Sequence, residues 1–201
     1  KNEIEDYTDN LDSFLDKPKK ISESILAKHY KDSIYLYVVL KQLIALYEAE
    51  REVISLQVHN EIRSAYDHYS RALINDEKFI ENTKKQEGHL QRAILDICKL
   101  TCNFYHERAS SVHKKYPKQS LSMVSNGKYI QDFVKNETYC RHLLIAAKEN
   151  DINLTDDHLK NKDIINSYLR ALIAYKELVK FQSDNLHNFV YVAGKYFIIK
   201  G

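Results

Sequence analysis

The sequence has no tryptophan, one methionine, two prolines and four glycines in 201 residues. Tight hairpins and β-bulges depend on glycine and turn residues, so this scarcity argues against an all-β or doubly wound fold. Three cysteines, Cys98, Cys102 and Cys140, are odd in number and lack the spacing of a disulfide framework, which fits a reducing compartment. Long apolar runs are missing too. The best, "SIYLYVVLKQLIALY", is interrupted by Lys41 and Gln42 and falls short of the roughly 18 to 20 residues that a membrane span needs. The opening "KNEIEDYTDN" is acidic, without the basic-then-apolar order of a signal peptide, and it begins without Met, as an excised piece of a longer chain would. A soluble, cytoplasmic protein with no membrane partner is expected.

Charge of one sign is equally scarce. A net charge of +2 is short of the footprint of a dedicated nucleic-acid binder, so any RNA contact must come from local patches. No glycine-rich phosphate loop, no Ser-His-Asp order and no nucleophile elbow occurs, which disfavours nucleotide hydrolases and ordinary serine hydrolases. No cofactor is expected.

What is present is helical periodicity. With 44% hydrophobic residues, the chain can bury one substantial core. From Ser33, apolar residues recur on one face at Leu36, Leu40, Leu43, Tyr47, Ile54, Val58, Ile62, Ala65, Tyr69 and Leu73, which predicts one helix on the order of 60 Å long at about 1.5 Å per residue, a length that leaves room for a kink or break although no Gly or Pro is there to cause one. "INDE" at 74–77 is the first credible turn, since Asn75 and Asp76 can end one helix and cap the next. A second helix is expected to about Lys115, with Gly88 as a weak point, closed by Pro117. "PKQSLSMVSNG" at 117–127 reads as a loop. A third helix should bury Ile130, Phe133, Val134, Leu143, Leu144 and Ala147. A fourth, capped by Thr155, should bury Ile165, Tyr168, Leu172, Tyr175, Val179 and Gln182.

The expected fold is therefore all-α, an elongated antiparallel bundle of four or more long helices. Residues 1–17 form an N-terminal arm or short helix, 18–188 a single bundle domain, and 189–201 an apolar tail that folds back or buries against a partner. An internal echo runs through the bundle: "HYSRALIND" from His68, "HLQRAILDI" from His89, and "YLRALIAY" from Tyr168. One reading is that Ala lets neighbouring helices approach while Arg pairs with a facing acid; the other is a duplication.

Two arginine–histidine pairs bear on function. In "HNEIRSAYDHYSRAL", Arg63 and His68 are separated by four residues. An arginine, permanently charged, can stabilise charge building on a phosphate, and a histidine, titrating near neutrality, can move a proton. This segment, in its all-helical context, resembles the HEPN superfamily of helical-bundle ribonucleases of bacterial toxin, abortive-infection and CRISPR-associated systems. A polar residue usually follows the arginine in that family, and Ser64 stands at that place. The resemblance implies metal-independent RNA cleavage with Arg63 and His68 as catalytic residues. Five residues at 100° each leave these side chains roughly 140° apart on a regular helix. Dimerisation would let two motifs share one cleft, so a homodimer or larger assembly is expected.

The second pair, Arg108 and His113, adjoins Lys114 and Lys115 and reads either as an RNA-binding phosphate patch or as a charged helix end complementing the dipole. Cys98, Cys102 and His106 share one helical face at metal-ligand spacing, but buried free cysteines are ordinary core residues and no metal is expected. The alternative to the ribonuclease is a non-catalytic helical assembly subunit that binds a protein partner, with Arg63 and His68 on a solvated helix face.

Overall fold

The computed structural model describes residues 30–53, 55–116, 118–152 and 158–191. Among them the protein is an all-α helical bundle without strands. Its helices are α1 (Lys31–Arg51), α2 (Leu56–Ile74), α3 (Phe79–Lys115), α4 (Lys118–Met123), α5 (Lys128–Ile152) and α6 (His158–Asp184), with short 3₁₀ turns at Asp76–Lys78 and Val124–Gly127. The chain remains helical over 186–191. No described helix is long and apolar enough to cross a membrane.

Contacts gather the described chain into two compact units, 30–100 and 101–191. Their division falls inside α3, within the 18–188 stretch read as one domain, at a place where an unbroken helical period marks no boundary.

In the first unit, α2 and α3 run antiparallel: Gln57 meets Asp96, Glu61 meets His89 and Arg92, and His68 meets Asn82, so one number rises as the other falls. The core of this unit includes Leu36, Val39, Leu40 and Leu43 of α1, Val58, Ala65 and Ala72 of α2, and Leu90, Ala93, Ile94 and Ile97 of α3. Asn75 ends α2 and accepts a hydrogen bond from the Lys78 amide at 3.2 Å, as its place in "INDE" predicted. Leu73, expected inside, is instead 47% exposed at this corner.

The single long helix expected from Ser33 to Asn75 is broken. Glu52 adopts the left-handed conformation (φ 58°, ψ 16°), and its amide donates to the Glu48 carbonyl at 2.8 Å, which closes α1. A non-glycine residue in that region costs about 1 to 2 kcal/mol, and glycine is the usual sign of such an end. "EAEREV" contains none, so the break left no mark in the sequence. Ile54 lies outside the described residues. Gly88, by contrast, leaves α3 uninterrupted.

In the second unit, α5 lies antiparallel to α6, with the Tyr168 hydroxyl donating to Asp151 at 3.1 Å and Tyr129 stacked on Phe181 at 5.6 Å. The whole expected α6 stripe is buried, and the Gln182 amide donates to the Ala109 carbonyl at 2.7 Å, tying α6 to α3. Two expectations fail here. Residues 118–127 are not a loop but α4 and a 3₁₀ turn, where Ser125, Asn126 and Gly127 take positive φ and redirect the chain into α5. Leu121 and Val124, each 1% exposed, anchor the segment to the core, a tertiary gain that overrides turn-favouring composition. Val134 is 53% exposed because it sits next to buried Phe133, about 100° around the helix.

Of the apolar tail, Phe189 is buried against Tyr116 and Tyr129 at 5.7 and 4.6 Å, whereas Val190 and Tyr191 face solvent. The rest of the tail, the N-terminal arm, Thr155 and Pro117 lie outside the described residues.

Candidate functional site

Arg63 and His68 are not brought together. Arg63 is exposed on α2 and makes no hydrogen bond or ion pair among the described residues. His68 is half-buried and turned toward α3, as expected of side chains about 140° apart on one helix.

Facing α3, His68 enters a polar cluster. Its Nδ1 lies 3.0 Å from Asn82 Oδ1, and its ring stacks on that of His89 at 5.3 Å with 20° between planes. The Asn82 amide donates from Nδ2 to the Lys78 carbonyl at 3.1 Å, which fixes its orientation and presents Oδ1 to the imidazole. An amide oxygen only accepts, so Nδ1 is the donor in this contact, and Asn82 selects for the neutral ring the tautomer whose lone pair is on Nε2.

His89 Nδ1 has two neighbours at once: Glu61 Oε2 at 2.7 Å and Arg92 Nη2 at 2.8 Å. Arg92 Nε also donates to Glu61 Oε2 at 3.1 Å. A carboxylate only accepts and a guanidinium only donates, so Nδ1 serves one of them at a time. With a proton it donates to Glu61; without one it accepts from Arg92. Either arrangement finds a partner in place, so neither strands Nδ1 as an unpaired polar atom. No hydrogen bond from another described residue reaches Nε2 of either histidine. The side chains of His89 and Glu61 retain 20% and 24% exposure, and that of Arg92 52%.

The Arg-Ala echo has a structural meaning here. Ala72, Ala93 and Ala171 are all buried at helix contacts. Arg92 pairs with Glu61 on the facing helix, while Arg71 pairs with Asp67 on its own helix at 2.9 Å. The two histidines at the head of the first two echoes are the ones that stack. His89 and Arg92 were missed as site residues because reading the motif along one helix overlooks a partner across the interface.

The second sequence pair divides differently. His113 turns inward, with Nε2 3.1 Å from the Tyr129 hydroxyl and its ring 3.9 Å from that of Phe133. Burial holds its pKa below the ordinary histidine value, against the weaker pull of Glu137. It is therefore turned away from any surface phosphate patch. Arg108, Lys114 and Lys115 are exposed, with the Lys115 ammonium over the Tyr116 ring at 5.7 Å. His113, Lys114 and Lys115 occupy the last turn of α3, where positive charge complements the helix dipole.

Cys98, Cys102 and Cys140 are fully buried thiols joined in no disulfide. Burial pushes the Cys102 thiol up to about 12 and raises that of Cys140 further, so neither is a ready thiolate nucleophile. Among the described residues no group of three His, Cys, Asp or Glu side chains is placed to hold a metal ion, Cys98, Cys102 and His106 included. No family model, curated protein or solved structure matches the chain.

Proposed function

We propose that the chain is an HEPN-like helical bundle of a bacterial defence or toxin system that binds and cleaves RNA without a metal, using the α2–α3 cluster. The observation that carries this reading is the stacked pair His68 and His89 with Arg92 alongside, neither Nε2 being bonded to another described residue. Cleavage by an internal 2′-hydroxyl needs a base, an acid and a cation. His68 Nε2 takes the 2′-hydroxyl proton as that oxygen attacks phosphorus. His89, protonated and paired with Glu61, gives its proton to the departing 5′-oxygen as the P–O bond breaks, leaving a 2′,3′-cyclic phosphate and a 5′-hydroxyl. Arg92 offsets the charge that builds on the phosphoryl oxygens, in the role first read for Arg63. Arg63 supplies a sequence-independent phosphate contact on the unit that carries the cluster, and Arg108, Lys114 and Lys115 offer the same chemistry on the other unit by itself.

Incubation of the protein with labelled total RNA in EDTA tests this. Cleavage should be lost in His68→Ala and His89→Ala, fall strongly in Arg92→Ala, and persist in Arg63→Ala. Absence of cleavage by the natural protein removes the catalytic reading.

A second reading, a non-catalytic assembly subunit, is supported by the α2–α3 corner, where Ile74, Ile80 and Leu73 are 84%, 69% and 47% exposed. Apolar side chains grouped on a surface mark protein interfaces. On this reading the corner seats a second copy or a protein partner. Light scattering should then show a homodimer or larger assembly that Ile74→Lys disperses while RNA remains intact.

A further inference from the structure

Between α1, α2 and the early part of α3 lies a cleft of about 540 Å³ whose walls carry four tyrosines, Tyr30, Tyr37, Tyr66 and Tyr69. Its volume is in the range of small-molecule sites. Among the described residues no charged side chain lines it, and Ser33, on its wall, directs its hydroxyl to Glu87 at 3.3 Å.

Among the described lining residues two polar atoms are buried without a hydrogen-bond partner: the Tyr30 hydroxyl and Gln86 Oε1. Tyr30 is only 5% exposed. Thr83 is near enough to the phenol to draw its pKa down, but its own hydroxyl is donated to the Phe79 carbonyl at 2.9 Å. Burial raises the Tyr30 pKa in spite of that neighbour, so the phenol stays neutral. Buried polar groups are nearly always paired in folded proteins, and each unpaired one calls for an explanation. A tyrosine packed edge-on against Tyr69 at 5.2 Å and Phe79 at 5.7 Å could be phenylalanine without loss of contact. The hydroxyl adds nothing to the packing and is buried at a cost.

We infer that this cleft is a binding site for a small, neutral, planar aromatic molecule that offers a hydrogen-bond donor to Gln86 Oε1 and an acceptor to the Tyr30 hydroxyl. Each part of the ligand's chemistry has its reason in the lining. Tyr37 and Tyr66, 53% and 69% exposed on the cleft wall, offer aromatic surface for a flat ring system to cover. An ion would lose its water in a lining without countercharge. A plain hydrocarbon or an alkyl chain would leave both polar atoms unpaired. The site is independent of the RNA reading, since none of the residues proposed for cleavage lines it.

Binding to the full chain of four probes, followed by chemical-shift changes and thermal shift, tests the inference: naphthamide, naphthalene, naphthoate and cyclohexanecarboxamide. Naphthamide should bind at least tenfold more tightly than the other three. Tyr30→Phe and Gln86→Leu should each weaken naphthamide about tenfold, the loss of one hydrogen bond, while leaving naphthalene unchanged. Because phenylalanine keeps the packing, Tyr30→Phe should also raise the Tm of the free protein. Tighter binding of naphthoate, equal binding of naphthalene, naphthamide affinity unmoved by both substitutions, or no binding of naphthamide overturns the inference.

Discussion

Replacing Asn82 with leucine isolates the contact that sets the His68 proton. Leucine has nearly the same shape, so packing at a position only 6% exposed is kept while the polar contacts are lost. Two hydrogen bonds disappear, one between Asn82 Oδ1 and His68 Nδ1 at 3.0 Å, the other from Asn82 Nδ2 to the Lys78 carbonyl at 3.1 Å. Each contributes about 0.5 to 1.5 kcal/mol net. Because His68 is half-buried, water restores part of the loss, which leaves a destabilisation of about 1 to 2 kcal/mol by the same measure. For a domain of this size that lowers Tm by about 2 to 8 °C. Calorimetry measures the shift. Nitrogen–proton correlation spectra of the ring near pH 8.5, where an ordinary imidazole is neutral, report which nitrogen bears the proton. The natural protein should show it on His68 Nδ1, and Asn82→Leu should abolish that preference. If the proton of the natural protein is on Nε2, or if the substitution changes neither Tm nor tautomer, then Asn82 does not orient His68, and the assignment of His68 as base fails with it.

Leu40→Ala, at a fully buried position, should cost about 2 to 5 kcal/mol, while Val134→Ala, at 53% exposure, should leave the chemical-denaturation midpoint nearly unchanged. Acid should weaken the fold through His113: its folded pKa is depressed, so its contribution is full above the ordinary histidine value of 6.5 and is lost as pH falls through the lower folded value. A Tm-versus-pH series should show that decline shrink in His113→Gln. Alkali acts through acids whose folded pKa is raised, Cys102, Tyr129 and Tyr175, each to about 12; their contribution is full below the ordinary values of 9 and 10 and is lost as pH rises toward 12. Tm should therefore fall steadily from about pH 9 upward. A thiol-specific reagent at neutral pH should label none of the three cysteines in the native protein and all three in denaturant; rapid native labelling would contradict their burial.

The sequence alone was enough to determine the class of the fold and most of its helices, because helix formation is local and each buried stripe repeats at the 3.6-residue period. The end of α2 at Asn75, the run of α3 to Lys115 and every buried position named for α6 were legible for that reason. Tertiary structure decided the rest. Glu52 ends α1 in a conformation that a non-glycine residue adopts only when the surrounding fold repays its cost, and α4 folds because Leu121 and Val124 find a core to enter. The candidate site divides along the same line. His68 could be singled out from its own segment, but a motif read along one helix assumes that its members act together, and Arg63 points elsewhere. The partners that give His68 its chemical character, Asn82, His89, Arg92 and Glu61, come from two antiparallel helices whose register is set by side-chain packing between them. That register is a property of the packed interface and is not written in the periodicity of either helix.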